Sequence, residues 1–581
     1  ITQQYVKILY LSSERTFKRK FKEAIVSLKL QKQQTKQEIL AGYLNTIYFG
    51  RGAYGIQAAA EAYFKKPAKD LTVQEGAALA AVLNSPENLD PANNDGSGDK
   101  LMPRYQYVLS GMASMDTLDP AEAEQDAQAL PTFPVIKATQ TYAGQKGFML
   151  EMVRNELRHL GFDDATINGG GLRVTTTFTK KDMAAVQKGV EDEKPPGLKG
   201  LHAAAVTLDV KTGAVRGIYG GQDYLKSPFN WAEKGAQPGS SFKPFALAAG
   251  IKAGFSLKDT FDGNSPYEFP DGSKVQNEGA GTGTDYGAKV NLIKATEESI
   301  NTAFIDLTQA IPDGPKKIVE MAQSLGIPID KTAIKPTAGV SLGTERVSMI
   351  DMTNAYATIA NGGVEHPTYT VEKVVRASDN KTLFTAPHDT TDALDPDIAA
   401  DVSYALQQVV QSGTGTNAKA IDRPAAGKTG TATAVDKTGY QYVSSAWFVG
   451  YTPQLATSVM YVRGDGNDRL DGWLPSYFGG DYPTRTWAAI MGAELEGIDT
   501  VDFPDPVYVD GDAPDDGHAP YTPPPPKPKP SKKPKPTATP TPVVTPTPIP
   551  VPDPLPTPTP TPEPTPPVPS PSGPGLRGGR Q

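Results

Sequence analysis

Ser240 and Lys243 stand three residues apart at the head of an apolar run, QPGSSFKPFALAAG. One helical turn would carry both side chains to the same face. A serine there gains from unpaired backbone N–H groups and the positive end of the helix dipole, which stabilise a developing oxyanion, and a partly desolvated lysine can take its proton. The chemistry such a pair serves is nucleophilic acyl transfer. Pro244 falls in the first turn, where its missing N–H is tolerated. The same spacing also arises by chance. Ser97 with Lys100 and Ser378 with Lys381 repeat it in polar turn sequence with no apolar helix behind them, and both read as loop. The five histidines, His159, His202, His366, His388 and His518, are scattered, and HExxH is absent. That pattern favours a Ser-Lys pair over a Ser-His-Asp triad and offers no metal site. With no cysteine, a thiol nucleophile, a disulfide framework and Cys-ligated zinc or iron–sulfur are all excluded.

The chain that must position these residues has 581 of them, too many for one ordinary domain. Its net charge of -8 argues against a general nucleic-acid binder, but the charge is unevenly spread. Residues 1–70 carry 13 basic and 5 acidic side chains, a net +8 that suits a polyanionic ligand or a membrane surface. No run of about 18 apolar residues marks a spanning helix, and no secretory signal is present. The first residue is Ile1 rather than Met, so the sequence is expected to start inside a longer protein, with any anchor upstream.

Four regions follow from pattern and composition. Residues 1–94 read as helical, with Phe17, Phe21, Ile25 and Leu28 and then Ile39, Leu40, Tyr43 and Leu44 recurring at spacings of three and four. Residues 95–200, opening near the turn-rich PANNDGSGDK, read as a linker. From 201 to 500 the pattern is α+β. A strand hairpin alternating apolar and polar residues turns at Lys211-Thr212-Gly213; helices are predicted at 240–252, 291–311, 315–325 and 346–361, and strands at 370–376, 428–434, 440–451 and 455–463. Residues 501–581 form a Pro/Thr/Lys-rich tail, expected to be disordered, in which 25 of the 52 residues from Pro523 to Pro574 are proline. Its lysines between Lys527 and Lys535 suit an anionic surface.

Ser240-Ser241-Phe242-Lys243, Ser299-Ile300-Asn301 and Lys428-Thr429-Gly430, in that order, resemble the Ser-x-x-Lys, Ser-x-Asn and Lys-Thr-Gly signature of penicillin-binding proteins and related β-lactamases. A literal Ser-Asp-Asn at 378–380 is set aside because it lies in the turn of a predicted hairpin, and the Lys-Thr-Gly triplets at Lys211 and Lys437 read as hairpin turns. SGTGTNA, shortly before Lys428, also resembles the family. The resemblance implies an antiparallel sheet with packed helices. It implies that Ser240 attacks the D-Ala-D-Ala amide of a peptidoglycan stem peptide with Lys243 as base. Ser299 would relay the proton, Asn301 would hold the substrate backbone, and Lys428 would supply positive potential. Thr429, Gly430 and Thr431 would line the substrate's carboxylate end, the backbone N–H groups of Ser240 and Thr431 would form the oxyanion hole, and β-lactams would stall the enzyme as acyl adducts.

ITQQ at 1–4, RKFKE at 19–23, KQEILAGYLN at 36–45 and RGAYGIQAAAEAYF at 51–64 resemble a second family, the peptidoglycan glycosyltransferases that precede the transpeptidase in bifunctional class A penicillin-binding proteins. This implies the C-terminal part of an all-α, lysozyme-like domain. Gln3, Gln4, Lys7, Arg19 and Lys20 would bind a lipid-linked disaccharide pyrophosphate, Glu23 would act beside its leaving group, and a divalent cation is a possible companion. The family's catalytic glutamate lies in an earlier motif than any present, so the chain as it stands is not expected to polymerise glycan. Transpeptidation implies no cofactor. Location at the extracytoplasmic face of the bacterial cytoplasmic membrane is implied as well. The same Ser-Lys chemistry also fits a β-lactamase or a D,D-carboxypeptidase, and a catalytically idle wall-binding scaffold carried by the tail is the reading from another class.

Overall fold

A computed structural model describes residues 1–10, 17–51, 53–86, 88–91, 97–134, 142–328, 334–512 and 518–519. The expected disorder of the tail, from 521 to 581, lies outside the described residues.

The N-terminal region is helical, as the periodicity predicts. Thr35 and Glu38 form a reciprocal capping box at the start of Lys36–Thr46, and Thr72 and Glu75 form another at Val73–Val82. Arg51 pairs with Asp90 through Nη2 at 2.6 Å while its guanidinium lies 4.1 Å from the ring centre of Tyr63. The core beneath contains Phe49, Tyr63, Leu79 and Val82. It also contains Leu101, Tyr105 and Leu109 from the helix Ser97–Ser114, and Leu118 and Ala123 beyond it. This corrects the expected boundary at 94 and the reading of Ser97 and Lys100 as loop, since both lie in the first turn of this helix. The helix turns an apolar face onto the bundle, which the polar loop before it conceals in the sequence.

The second half of the expected linker is also folded. Gln145, in the helix Gln145–His159, bonds backbone groups of Gly220 and Gly221, and Glu156 accepts the N–H of Thr370 at 2.6 Å. Strand Leu172–Thr176 pairs antiparallel with Val371–Arg376, whose other partner, Thr382–Thr385, closes a hairpin through Ser378-Asp379-Asn380. Residues 145–193 thus belong to the α+β body.

That body is built, in chain order, from α1 (Lys180–Glu193), β1 (Leu201–Asp209), β2 (Val215–Tyr219), α2 (Lys243–Lys252), α3 (Asn301–Ala310), α4 (Met349–Ala360), α5 (Pro396–Gln411), β3 (Ala426–Val435), β4 (Gln441–Tyr451), β5 (Leu455–Arg463) and α6 (Tyr482–Glu494). The strands form one antiparallel sheet in the order β3-β4-β5-β1-β2. Ala204, Val206, Leu208, Trp447 and Met460 face α2 to α5. Ala203, Ala205, Phe448, Val459 and Tyr461 face the other way, against Val186 and Val190 of α1 and Trp487, Ile490 and Met491 of α6. Both faces are therefore covered. Strand β1 is buried everywhere except at the partly exposed His202 and Asp209, and does not show the apolar–polar alternation of a one-sided hairpin. Helix α2 is buried from Lys243 through Ile251, apolar all round, as a central helix must be.

The residues after 500 hold a further correction. Asp401 of α5, wholly buried, accepts the backbone N–H groups of Val507, Tyr508 and Val509 at 2.7 to 2.8 Å. Phe503 packs on Tyr451, and Lys258 lies over the ring of Tyr508. His518 stacks on Phe261 and its carbonyl accepts the N–H of Thr260. Residues 501–512 and 518–519 form a strap on the α+β body rather than the beginning of a tail, held by a carboxylate more than a hundred residues away.

Replacing Asp401 by Ala leaves three backbone N–H groups of the strap without their acceptor. The variant is expected to lose about 2–4 kcal/mol of stability in denaturant unfolding, with hydrogen exchange accelerated at Val507 to Val509.

Candidate active site

The residues QPGSSFK form a tight 3-10 turn, Gly239–Phe242, that runs directly into α2. Ser240 lies in this turn, half-buried, and the α-helix proper starts at Lys243 rather than at Ser240. The turn is tight because β3 passes against it. Gly239 has φ +57, and a Cβ there would stand 2.8 Å from the carbonyl carbon of Thr431; a Cβ on Gly430 would stand 2.1 Å from the Pro238 carbonyl oxygen. Two glycines thus let strand and turn run in contact. Three hydroxyls fix the turn from behind. Ser241 donates to the Pro238 carbonyl, Tyr356 of α4 to the Ser241 carbonyl and Ser445 of β4 to the Gln237 carbonyl, each at 2.6 Å.

Lys243 is fully buried one turn beyond Ser240. Its Nζ donates to the Ser299 carbonyl at 2.7 Å, the Ser299 hydroxyl at 3.2 Å and Asn301 Oδ1 at 2.8 Å. Ser299 reaches this position through a left-handed backbone, φ +59, in the break between helix Leu292–Glu297 and α3. A non-glycine residue there costs about 1–2 kcal/mol. The turn thereby brings both the carbonyl and the hydroxyl of one residue to the lysine. Asn301 is oriented by its own Nδ2, which donates to the Gln276 carbonyl at 2.8 Å.

Lys428 of β3 is also fully buried and faces the same helices, in register with Val449, while Thr429 and Thr431 occupy the other face of the strand, opposite Phe448 and Ala446. Burial pushes the Lys428 amine down to about 7. Burial first, and then the charge of Lys428, hold the Lys243 amine well below the ordinary lysine range, against a weaker opposing pull from Glu278. Among the described residues neither lysine has a carboxylate within ion-pair distance. An amine so placed is neutral for much of the time near pH 7 and has a lone pair to accept a proton.

The expected acyl-transfer residues therefore converge. Ser240, Lys243, Ser299, Asn301 and Lys428 come together where the turn, the break before α3 and edge strand β3 meet, with Thr429, Gly430 and Thr431 along that strand. Sequence reasoning did not assign Thr414, whose hydroxyl lies 2.8 Å from that of Thr429, although SGTGTNA had drawn attention to its segment. Gly479 was not anticipated. Its N–H donates to the Thr431 hydroxyl, and a Cβ would stand 2.6 Å from the Gly430 carbonyl oxygen. Gln276 and Tyr356 also carry no local signal, since only the fold brings them here.

The N-terminal candidates stand differently. Gln3 and Gln4 are exposed on the helix Thr2–Tyr10. Lys7 belongs to that helix and Arg19, Lys20 and Glu23 to Phe17–Gln33, but the side chains of these four lie outside the described residues. Among the described residues no group of three or more acidic or imidazole side chains is placed to hold a metal ion, and no helix is long and apolar enough to cross a membrane.

Comparison with known proteins agrees with this geometry. Residues 1–113 match the family described as Transglycosylase, and residues 203–492 match the Penicillin binding protein transpeptidase domain. Penicillin-binding protein 1A of Mycolicibacterium smegmatis is 37% identical over 540 residues, which cover 88% of this chain and 66% of that protein. The chain thus spans just under two thirds of that relative's length. Penicillin-binding protein 2D of Bacillus subtilis is 30% identical over 523 residues, covering 88% of this chain and 72% of that one. Among solved structures, the PonA1 protein of Mycobacterium tuberculosis in complex with penicillin V matches with a TM-score of 0.56 and 32% identity, covering 66% of this chain and 100% of that chain.

The two buried amines make a measurable prediction. In NMR titration of lysine side chains, the Lys428 signal is expected to titrate near 7 and that of Lys243 well below the exposed lysines. Between about 7 and 10.5 the unfolded chain binds more protons at position 428 than the folded one, so stability rises with pH across that window. Lys428→Met should remove the titration near 7 and flatten the slope.

Proposed function

Since this chain belongs to the bifunctional class A penicillin-binding proteins, we propose that it works in peptidoglycan synthesis as a serine D-Ala-D-Ala transpeptidase. The observation that carries this reading is the buried Lys243 amine, one turn from Ser240 and held by Ser299 and Asn301. Ser240 Oγ attacks the carbonyl carbon of the penultimate D-alanine as Lys243 Nζ takes the hydroxyl proton. The backbone N–H groups of Ser240 and Thr431 stabilise the resulting oxyanion. The C–N bond then breaks, the proton reaches the leaving amine through the Ser299 hydroxyl, and D-alanine departs. An amine of a neighbouring stem peptide attacks the ester carbonyl and loses a proton to the lysine, which passes it to Ser240 Oγ as the C–O bond breaks. Edge strand β3 offers its free side to an extended peptide, with Asn301 on the peptide backbone. Lys428 supplies positive potential in its protonated form, which it gains as pH falls through about 7, and Thr429, Gly430 and Thr431 receive the terminal carboxylate. β-Lactams acylate the same serine.

For the N-terminal region, the reading assigns Gln3, Gln4, Lys7, Arg19 and Lys20 to the pyrophosphate of a lipid-linked disaccharide, with Glu23 beside its leaving group. It is supported by the match to the Transglycosylase family and the excess of basic residues. A divalent cation enters only as a companion of that pyrophosphate, and no step is assigned to it. The working place of such an enzyme is the extracytoplasmic face of the cytoplasmic membrane, where its substrates lie.

Labelling with a fluorescent penicillin tests the reading. Wild type should form a long-lived adduct that Ser240→Ala abolishes, and Lys243→Met should slow acylation by about 10²–10⁴-fold. A folded wild type that takes no label would overturn the mechanism, rapid turnover would mark a β-lactamase, and D-alanine release without cross-linked product would mark a carboxypeptidase.

Ser299→Gly separates fold from chemistry. Glycine accepts the left-handed backbone and keeps the carbonyl, so no loss of thermal stability is expected, whereas loss of the hydroxyl should slow peptide transfer by about 10²-fold. Undiminished transfer would remove Ser299 from the proton path.

A further inference from the structure

Glu278 is the acid whose charge reaches the amine of Lys243, and it stands outside the acyl-transfer machinery described above. The two residues before it fix its place. The Gln276 carbonyl accepts from Asn301 Nδ2 at 2.8 Å, so the chain here runs along the Asn301 side of the site. Asn277 is buried and tied to the carbonyls of Gly263 and Thr284 and to the hydroxyl and N–H of Thr302. Beyond it, the Glu278 carbonyl accepts the N–H of Thr284 at 3.1 Å and closes the loop EGAGTGT, in which Gly279, Gly281 and Gly283 all have positive φ. The backbone of Glu278 is thus anchored on both sides, on a loop carried by a rigid scaffold.

Its carboxylate is uncommitted. Among the described residues it makes no hydrogen bond and no ion pair. Glu278 is exposed, yet the protein around it still raises its carboxyl by desolvation, an effect that the charge of Lys243 opposes. An accessible acid that nevertheless feels burial lies on the wall of a cleft rather than on a convex surface, where a charge is screened less and a partner cation gains more. Its position decides which cation. With the terminal carboxylate of the peptide on Thr429 to Thr431 and the scissile carbonyl at Ser240, the residues upstream of the penultimate D-alanine pass Asn301 and come to Gln276 and Glu278. The two lysines of the site repel a cation there only weakly, because burial keeps both largely neutral above about 7.

We propose that Glu278 determines specificity for the donor peptide by pairing with a cationic side chain on the residues upstream of its penultimate D-alanine. The group it selects is a primary ammonium at the end of an unbranched carbon chain. Such a role rests on the acyl-transfer reading of Ser240, which sets the peptide along β3 and past Asn301.

Two penicillins test it, alike except that the acyl chain is ω-aminopentanoyl in one and hexanoyl in the other, so that an ammonium in the first replaces a methyl group in the second. In a penicillin this chain stands where the upstream residues of the peptide stand. Stopped-flow acylation of the full chain at a pH of about 8, above the range of carboxylates and below that of alkylammonium groups, should be about 3–10-fold faster with the charged chain. The ratio of the two rates is the readout, because any effect of Glu278 on the Lys243 amine acts on both penicillins alike. Glu278→Gln should bring the rates within about two-fold of each other, Glu278→Lys should reverse the preference, and salt at about 1 M should shrink it in wild type. Equal rates in wild type, or a preference that survives Glu278→Gln, would overturn the role of Glu278 and leave that of Ser240 intact. Acylation of folded wild type by neither penicillin would overturn the Ser240 reading, and the specificity with it.

Discussion

Two amines out of water, with no carboxylate beside them, set the terms for the rest of the α+β body. Solvating Lys243 with protein groups takes three acceptors, and two of them come from Ser299, whose backbone must turn left-handed to present both. That turn persists only where neighbours over-determine it. Here they do, because Thr302 donates its N–H to Asn277 Oδ1 while Asn277 Nδ2 reaches the carbonyls of Gly263 and Thr284 and the Thr302 hydroxyl. Keeping Lys428 dry requires β3 to lie against the Ser240 turn, which Gly239 and Gly430 permit. A buried charge without a partner is costly enough that the lower-energy outcome is a neutral amine. Neutrality at an ordinary pH is what a base needs, so the feature that strains the fold is also the one that equips the site.

Several buried polar groups inside this domain come in satisfied sets. Thr353 of α4 meets Ser458 of β5 at 2.7 Å, and Ser403 of α5 meets Tyr451 of β4 at 2.9 Å, so helices and sheet are joined by buried hydroxyl pairs on the Ser240 side. Across the sheet, Thr207 and Thr457 pair in the same way and hand on to Glu494. The chain of satisfied groups stops there, since the other oxygen of Glu494 is buried without a hydrogen-bond partner.

The residues that the structure gathers around Lys243 could be picked out in the sequence because each sits in a short segment with its own chemistry. Ser240 and Lys243 precede an apolar helix, and Lys428 opens an edge strand beside SGTGTNA. The competing triplets were separable on local grounds too, since Ser378-Asp379-Asn380 lies in a polar hairpin turn, as the structure places it. Order of elements and the α+β class followed from periodicity. What could not be read was anything decided by distant packing: that Leu101 and Tyr105 join the N-terminal core, that Gln145 and Glu156 anchor a supposed linker, or that Val507 to Val509 find Asp401. Composition pointed the wrong way for the strap, since a segment leading into a proline-rich stretch resembles the beginning of that stretch. The largely buried β1 was read as alternating because small residues such as Ala203 to Ala205 fit either face, and only the helices on both sides reveal that none of these three meets water.

The strand order has a consequence for how the chain acquires this structure. Thr207 and Thr457 pair across β1 and β5 although 250 residues separate them. While the protein emerges from the ribosome, the β1–β2 hairpin has to wait, its apolar surface uncovered, until β5 and then α6 have been made. Closure of so long a loop makes late, slow assembly the rule, and the hairpin meanwhile is an open edge for wrong partners. Helix α1 is made just before the hairpin and packs on β1 and β2 in the finished sheet through Val186 and Val190. It is the first cover available, and the segment that read as a linker is thus placed to act as a chaperone within the chain.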